Sequence, residues 1–291
     1  MERYMLRPFD ELQELAETSL EGPLRAGVTD SNHPFVVYDG ISFFRFPLEA
    51  ERHNSKIGVD KGLEDYGFAD CLESSVIQIL KDISFRHQAN RGVVPHMHCD
   101  IKPGDVVVEV GAYLGYYSMW FCKQVGPTGH VFGIELQPDC HAVLEKNFSF
   151  NFPGTSTAIN CGVLDRKDVV EAYCHKNHAN SFRSDVLLKA CHAPMEDFAM
   201  VPVRTDTLEN LFRDHGVPEV KLLTIQVNGA EVEALKGLGN GFDKVENIFV
   251  AAPYGRDGGD NVSAVVEVIE SKGFEVRIEG RTGVFARRQG G

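Results

Sequence analysis

Gly111 and Gly115 bracket a turn in the run PGDVVVEVGAYLGYYSMW, residues 103–120, where an apolar strand passes into a helix. Without side chains there, a ligand can approach the backbone, and the first N–H groups of the helix stand free to meet a carboxylate or phosphate. The spacing is G-x-x-x-G rather than the G-x-G-x-x-G of dinucleotide binders. Twenty residues beyond Gly115, Glu135 closes the next strand, where an acidic side chain can accept both hydroxyls of a ribose. Turn and acid in this register point to a nucleoside-containing ligand; the plainer alternative is a tight turn followed by an exposed strand-end glutamate.

A third junction, LLTIQVNGAEVEALKG (residues 222–237), places Gln226 and Asn228 where strand meets helix. Carboxylates at such a place can take a proton or share a cation, whereas amides only exchange hydrogen bonds. Gln226 sits at the carboxyl end of the strand, where ligands bind in open α/β sheets. Asn228 and Glu231 form N-x-x-E, which also reads as a capping box, with asparagine as N-cap and glutamate reaching back to its N–H.

The segment HKNHANSFRSD adds His175, His178, Asn180, Ser181 and Arg183. His178 is the candidate general base, against the plainer reading of a solvated loop histidine. HMHC, with His96, His98 and Cys99, resembles a ligand cluster but lacks a second pair at zinc spacing, as does Cys191-His192. No metal site is expected. Pro253-Tyr254 follows a strand and offers either a wall for an acceptor pocket or a surface turn.

The elements that must position these residues alternate from Ile101 onward: strand 106–110, helix from Leu114, strand 130–135, helix from Pro138, strand 156–162, then DVVEAYCH. The series goes on with a helix over 207–215 capped by Asp206, strand 220–227, a helix from Gly229, strand 247–253 and a helix from Val262 behind Asn261. Apolar strands alternating with helices predict a parallel sheet covered on both faces. GFEVRIEG and VFARR, joined at RTG, predict a closing antiparallel hairpin. Residues 1–100 are less regular, with a helix over 9–19, a hairpin FVVYD/SFFRF around Gly40-Ile41, and a helix over 72–83. They form an N-terminal α+β extension expected to act as a substrate lid, beside a ligand-binding domain over 101–291.

Lysine and arginine number 29 against 42 acids, a net charge of −13 that repels a phosphate backbone, so nucleic acid is not the expected partner. No stretch approaches the roughly 18 apolar residues of a membrane span, and acidic residues interrupt the first segment where a signal core would lie. A cytoplasmic location is expected. Seven cysteines without a C-x-x-C pair suit reduced, buried thiols.

GDVVVEVGAYLGYYS, VGPTGHVFGIELQPDCHAVLEKNFSFN, NCGVLDRKDVVEAY, VRTDTLENLF and LLTIQVNGAEVEALKG, in this order over residues 66–250, resemble the successive blocks of the FkbM family of S-adenosylmethionine-dependent methyltransferases. The resemblance implies a Rossmann-like class I methyltransferase fold. It implies that the Glu109–Gly115 turn, with Gly111, Ala112 and Tyr113, holds the methionine end of the cofactor. Glu135, beside Leu136, would take the ribose, and Gly162, Val163 and Asp165 would lie along the adenine, with Gln226 facing the ligands. The implied reaction is methylation of a hydroxyl on a sugar or secondary metabolite, the alternatives being N-methylation of a side-chain amide in a ribosomal peptide and a cofactor-binding scaffold without activity. The catalytic candidates are Gln226, Asn228 and His178. The partner is a small-molecule or peptide acceptor, and a homodimer is compatible with the sequence. The family usually reads D-V-E-G-A-E where this chain reads Gln226-Val227-Asn228-Gly229-Ala230-Glu231, which puts carboxylate-assisted deprotonation at these positions in doubt.

Overall fold

The computed structural model describes residues 6–18, 20–50, 68–87, 99–175, 180–186, 198–255 and 259–289. In chain order the elements are α1 (Phe9–Leu15), β1 (Arg25–Val28), β2 (Pro34–Tyr38), β3 (Ile41–Phe44), α2 (Phe68–His87), β4 (Val106–Val110), α3 (Tyr116–Val125), β5 (His130–Glu135), α4 (Pro138–Asn151), β6 (Ser156–Asn160), β7 (Gly162–Val163), β8 (Asp168–His175), β9 (Asn180–Ser181), β10 (Phe198–Asp206), α5 (Leu208–Asp214), β11 (Val220–Ile225), α6 (Glu231–Lys236), β12 (Val245–Ala251), α7 (Val262–Glu270), β13 (Phe274–Glu279) and β14 (Gly283–Arg288).

Seven strands form the main sheet in the order β13-β14-β12-β11-β4-β5-β6. The five from β12 to β6 run parallel, and β14 and β13 close the edge antiparallel, as the hairpin pattern predicts. The strands read as near-continuous apolar runs because side chains alternate between two buried faces. Val107, Val131 and Leu222 face a core with α3 and α4, while Val108, Phe132 and Leu223 face a second core with α5 and α7.

The described part of the N-terminal extension completes the first core. Phe43, Phe46, Leu72, Ile79 and Ile83 pack in one cluster with Tyr116, Phe121 and Leu144. The Tyr116 hydroxyl donates to the Phe44 carbonyl, and Phe43 meets the Tyr116 ring edge-on with centroids 5.1 Å apart. Asn147, wholly buried on α4, is the polar bolt of this junction. Its Oδ1 accepts from Phe44 N at 2.8 Å, and its Nδ2 donates to Leu114 O at 2.8 Å and Phe44 O at 3.2 Å. Asn147→Ala strands these buried groups, so a stability loss of about 3 kcal/mol is expected, read from urea unfolding.

The structure corrects the sequence reading in several places. STAINCG is not one strand: β6 stays in the main sheet, Cys161 N donates to Glu135 O, and β7 crosses into a second sheet, β7-β10-β8-β9. DVVEAYCH belongs to that sheet, paired antiparallel with β10, rather than to the parallel series. Thr207, not Asp206, caps α5 by accepting from Asn210 N, while Asp206 accepts from Thr207 N and Asn210 Nδ2. The helix expected from Gly229 begins at Glu231.

Among the described residues no helix is long and apolar enough to cross a membrane, and no group of three or more His, Cys, Asp or Glu is placed to hold a metal ion. His96, His98, Cys191 and His192 lie outside the described residues. Cys99 is buried, with its Sγ 3.9 Å from Lys221 O, and burial pushes its thiol up to about 12.

Candidate functional site

The carboxyl ends of β4, β5 and β11, together with β7 and β9, enclose a cavity of about 250 Å³. Parallel strands leave such a crevice where the connections of neighbouring strands diverge to opposite faces. One bank carries Gly111, Tyr113, Glu135 and Leu136; the other carries Gln226, Val227 and Asn228. Gly162, Val163, Asn180, Ser181 and Phe182 lie between them.

Gly111 lets the two banks approach. Its φ is +81°, and a Cβ built there would lie 2.0 Å from the Gln226 carbonyl oxygen. Gln226 N donates to Val110 O at 2.9 Å, so the strand ladder continues to the cavity's edge. Tyr113 also takes a left-handed conformation, at φ +53°. That turn aims its N–H at Glu135.

Glu135 is 3% exposed, so it is not the solvated strand-end acid of the plainer reading. Its Oε2 accepts from Tyr113 N at 2.9 Å and its Oε1 from Gln137 N at 2.8 Å. Asn180 Nδ2 makes a longer contact of 3.3 Å to Oε1. Burial pushes the carboxyl up to about 7 in spite of these donors, which favour its charged form. A carboxylate has about four lone-pair sites, and with the Leu136 backbone as a further donor the long Asn180 contact is the one that a hydroxyl arriving from the cavity can replace.

The capping box is half right. Glu231 does reach back, but its Oε1 takes Gly229 N at 2.9 Å and its Oε2 takes Asn261 Nδ2 at 3.0 Å, and burial raises its pKa. Asn228 does not cap the helix; Ala230 holds the N-cap position. Instead Asn228, at φ +50°, donates from Nδ2 to Asn180 O at 3.0 Å and accepts at its own carbonyl from Ser181 Oγ at 2.7 Å. The amide that propensity assigns to a cap is used to join β9 to the cavity's second bank.

Of the residues singled out from sequence, Gly111, Tyr113, Glu135, Leu136, Gly162, Val163, Asn180, Ser181, Gln226 and Asn228 come together around the cavity. Glu109, Ala112, Gly115 and Asp165 do not line it. Glu109 is buried beneath the turn, hydrogen-bonded by the Ser118 hydroxyl. Ala112 N donates to Ile134 O, and Gly115, at φ +80°, fits against Leu144 at the start of α3. Asp165 is exposed and paired with Arg166. Pro253 and Tyr254 lie outside the lining as well. His178 lies outside the described residues. Phe182 and Val227 are lining residues that the sequence reading did not single out: the pairing of the two-residue strand β9 with Tyr173 and Cys174, and its bonds to Asn228, bring Phe182 here.

A family model described as "Methyltransferase FkbM domain" matches residues 109–276. A curated relative, "Methyltransferase sdnD" of Sordaria araneosa, is 24% identical over 210 residues, covering 62% of this chain and 78% of that protein. Among solved structures, methyltransferase FkbM from Methylobacillus flagellatus KT is 13% identical with a TM-score of 0.42, over 82% of this chain and 57% of that one. Aeropyrum pernix fibrillarin in complex with natively bound S-adenosyl-L-methionine is 12% identical with a TM-score of 0.42, over 92% of this chain and 100% of that one.

Proposed function

The chain belongs to the FkbM family of S-adenosylmethionine-dependent methyltransferases, and we propose that it methylates a hydroxyl of a sugar or secondary metabolite at the cavity between Glu135 and Gln226. The observation that carries this placement is the buried Glu135 carboxyl, turned to a cavity that the Gly111 turn and Gln226 border. The residues present fit the cofactor. An acid whose weakest partner, the Asn180 amide at 3.3 Å, can give way suits a ribose diol, and apolar Leu136, Val163 and Phe182 suit the faces of a purine.

When bound, S-adenosylmethionine supplies an activated methyl group that passes to the acceptor oxygen as its carbon–sulfur bond breaks, leaving S-adenosylhomocysteine. The protein's contribution is chiefly to hold two partners in line and close. Glu135 fixes the nucleoside end. Gln226 and Asn228 offer neutral hydrogen-bonding groups on the opposite bank and orient the acceptor without taking its proton. We assign that proton to His178, two residues before β9 in the sequence.

Two primary amides also complement a side-chain amide in a peptide, which keeps nitrogen methylation as the second reading. Mass-spectrometric detection of methylated product from hydroxylated and amide-bearing acceptors, with labelled cofactor, separates the two. Cofactor binding with no turnover of any acceptor would favour a scaffold. Gln226→Ala is expected to lower turnover about 100-fold by loosening the acceptor's alignment. A variant with unchanged turnover would remove Gln226 from the site. The six described cysteines are all buried and free, as a reducing compartment allows, and we place the protein in the cytoplasm, in natural product biosynthesis.

A further inference from the structure

Asn180 and Ser181 stand between the two banks of the cavity and touch both. The Asn180 side-chain nitrogen lies 3.3 Å from Glu135 Oε1 and 3.4 Å from Gln137 Oε1. Both contacts are at the long end of the hydrogen-bond range. On the other side, the Asn180 carbonyl accepts from Asn228 Nδ2 at 3.0 Å, and the Ser181 hydroxyl donates to Asn228 O at 2.7 Å while accepting from Arg183 N at 3.0 Å. Asn228 is thus held at two points by one dipeptide, in a left-handed conformation that asparagine tolerates better than most residues.

We propose that Asn180 and Ser181 are positioning residues for methyl transfer, fixing the Gln226–Asn228 turn against the occupant of the Glu135 bank so that donor binding is felt at the acceptor side. The inference rests on the cofactor reading above. A ribose diol brings two O–H donors to the carboxylate that the Asn180 amide now touches at 3.3 Å, and their shorter O–H···O⁻ bonds displace it. β9 then shifts or tightens. Asn228 must follow, because its amide and its carbonyl both bond to β9.

Hydrogen–deuterium exchange with and without saturating S-adenosylhomocysteine tests this, with binding to each variant measured first by calorimetry. Residues 229–231 do not line the cavity, so a change in their exchange is transmitted rather than due to direct cover. In the wild type, S-adenosylhomocysteine is expected to slow exchange at 229–231 about fivefold, the low end of typical coupling between sites. Ser181→Ala, which removes the bond to the Asn228 carbonyl, should reduce that difference, Ser181→Ala combined with Asn228→Gly, which removes both bonds, should abolish it, and Ser181→Thr, which keeps the hydroxyl, should retain it. A merely structural role would raise exchange in both states and leave the ligand-induced difference intact, which would overturn the proposal. Should Ser181→Ala fail to fold, Asn228→Gly serves: it accepts the positive φ and removes the amide arm while the Ser181 hydroxyl keeps the carbonyl, so a difference undiminished from the wild type would again overturn the proposal. Binding to the wild type without change at 229–231 contradicts this inference alone. Absence of binding contradicts the cofactor reading as well.

Discussion

Glu135→Ala is expected to weaken S-adenosylhomocysteine binding about 10- to 150-fold, the equivalent of ~1.5–3 kcal/mol for charge-assisted hydrogen bonds to a diol. Alanine also leaves the N–H groups of Tyr113 and Gln137 without their acceptor, so the turn that borders the cavity loosens with it. Glu135→Gln separates the two effects, because it keeps the volume and an acceptor oxygen while removing the charge.

The charge brings a pH dependence of definite sign. Burial raises Glu135 to about 7 in the folded protein, above the ordinary carboxylate value of 4.5. The folded state therefore binds more protons than the unfolded one between those values, and stability falls as pH rises through that window. Glu231, also raised by burial, adds to the same slope, so the difference between wild type and Glu135→Gln isolates Glu135. Ligand affinity runs the other way. Hydroxyl donors favour the ionised acid, so affinity should rise with pH up to about 7, level off above it, and lose this profile in Glu135→Gln. Thermal unfolding and calorimetry across pH 5–8 read the two trends.

Gly111→Ala should remove binding altogether, through a route that has nothing to do with charge. A Cβ at this position would sit 2.0 Å from the Gln226 carbonyl oxygen, a backbone atom that cannot swing aside, and the residue would also be held at φ +81°. Left-handed strain alone is worth about 1–2 kcal/mol. The clash adds the displacement of β4 from β11, neighbours at the centre of the sheet. Gly154 provides the control: its φ is +85°, but nothing lies within 4 Å of its Cβ direction. Gly154→Ala should therefore show the modest strain alone, as a small drop in unfolding midpoint with binding intact, whereas Gly111→Ala loses soluble protein or detectable binding.

What was legible in the sequence follows from how local each cause is. The parallel strands announced themselves because burial on both faces leaves mostly apolar choices, as in VVVEV and VKLLTI, and β13–β14 because a short turn pairs neighbouring runs. Glu135 and the Gly111 turn could be read because adjacent βα units set their spacing. Harder to see were β7 and β10, where a strand leaves one sheet for another and the reason lies in a distant partner. Asn228 shows the limit best. Its local pattern favours a helix cap, yet it spends its amide on Asn180, 48 positions away. Glu109, which the family resemblance implied for the ligand, is held below the turn by a helix hydroxyl, that of Ser118.

If the cavity between Glu135 and Gln226 holds S-adenosylmethionine, a calorimetric titration of that ligand into the wild-type protein at pH 8, above the raised value of Glu135, will register it. The expected result is one-to-one binding with a dissociation constant in the micromolar range, weakened in parallel by Glu135→Ala. No heat of binding at millimolar ligand, or binding that Glu135→Ala leaves unchanged, would contradict it.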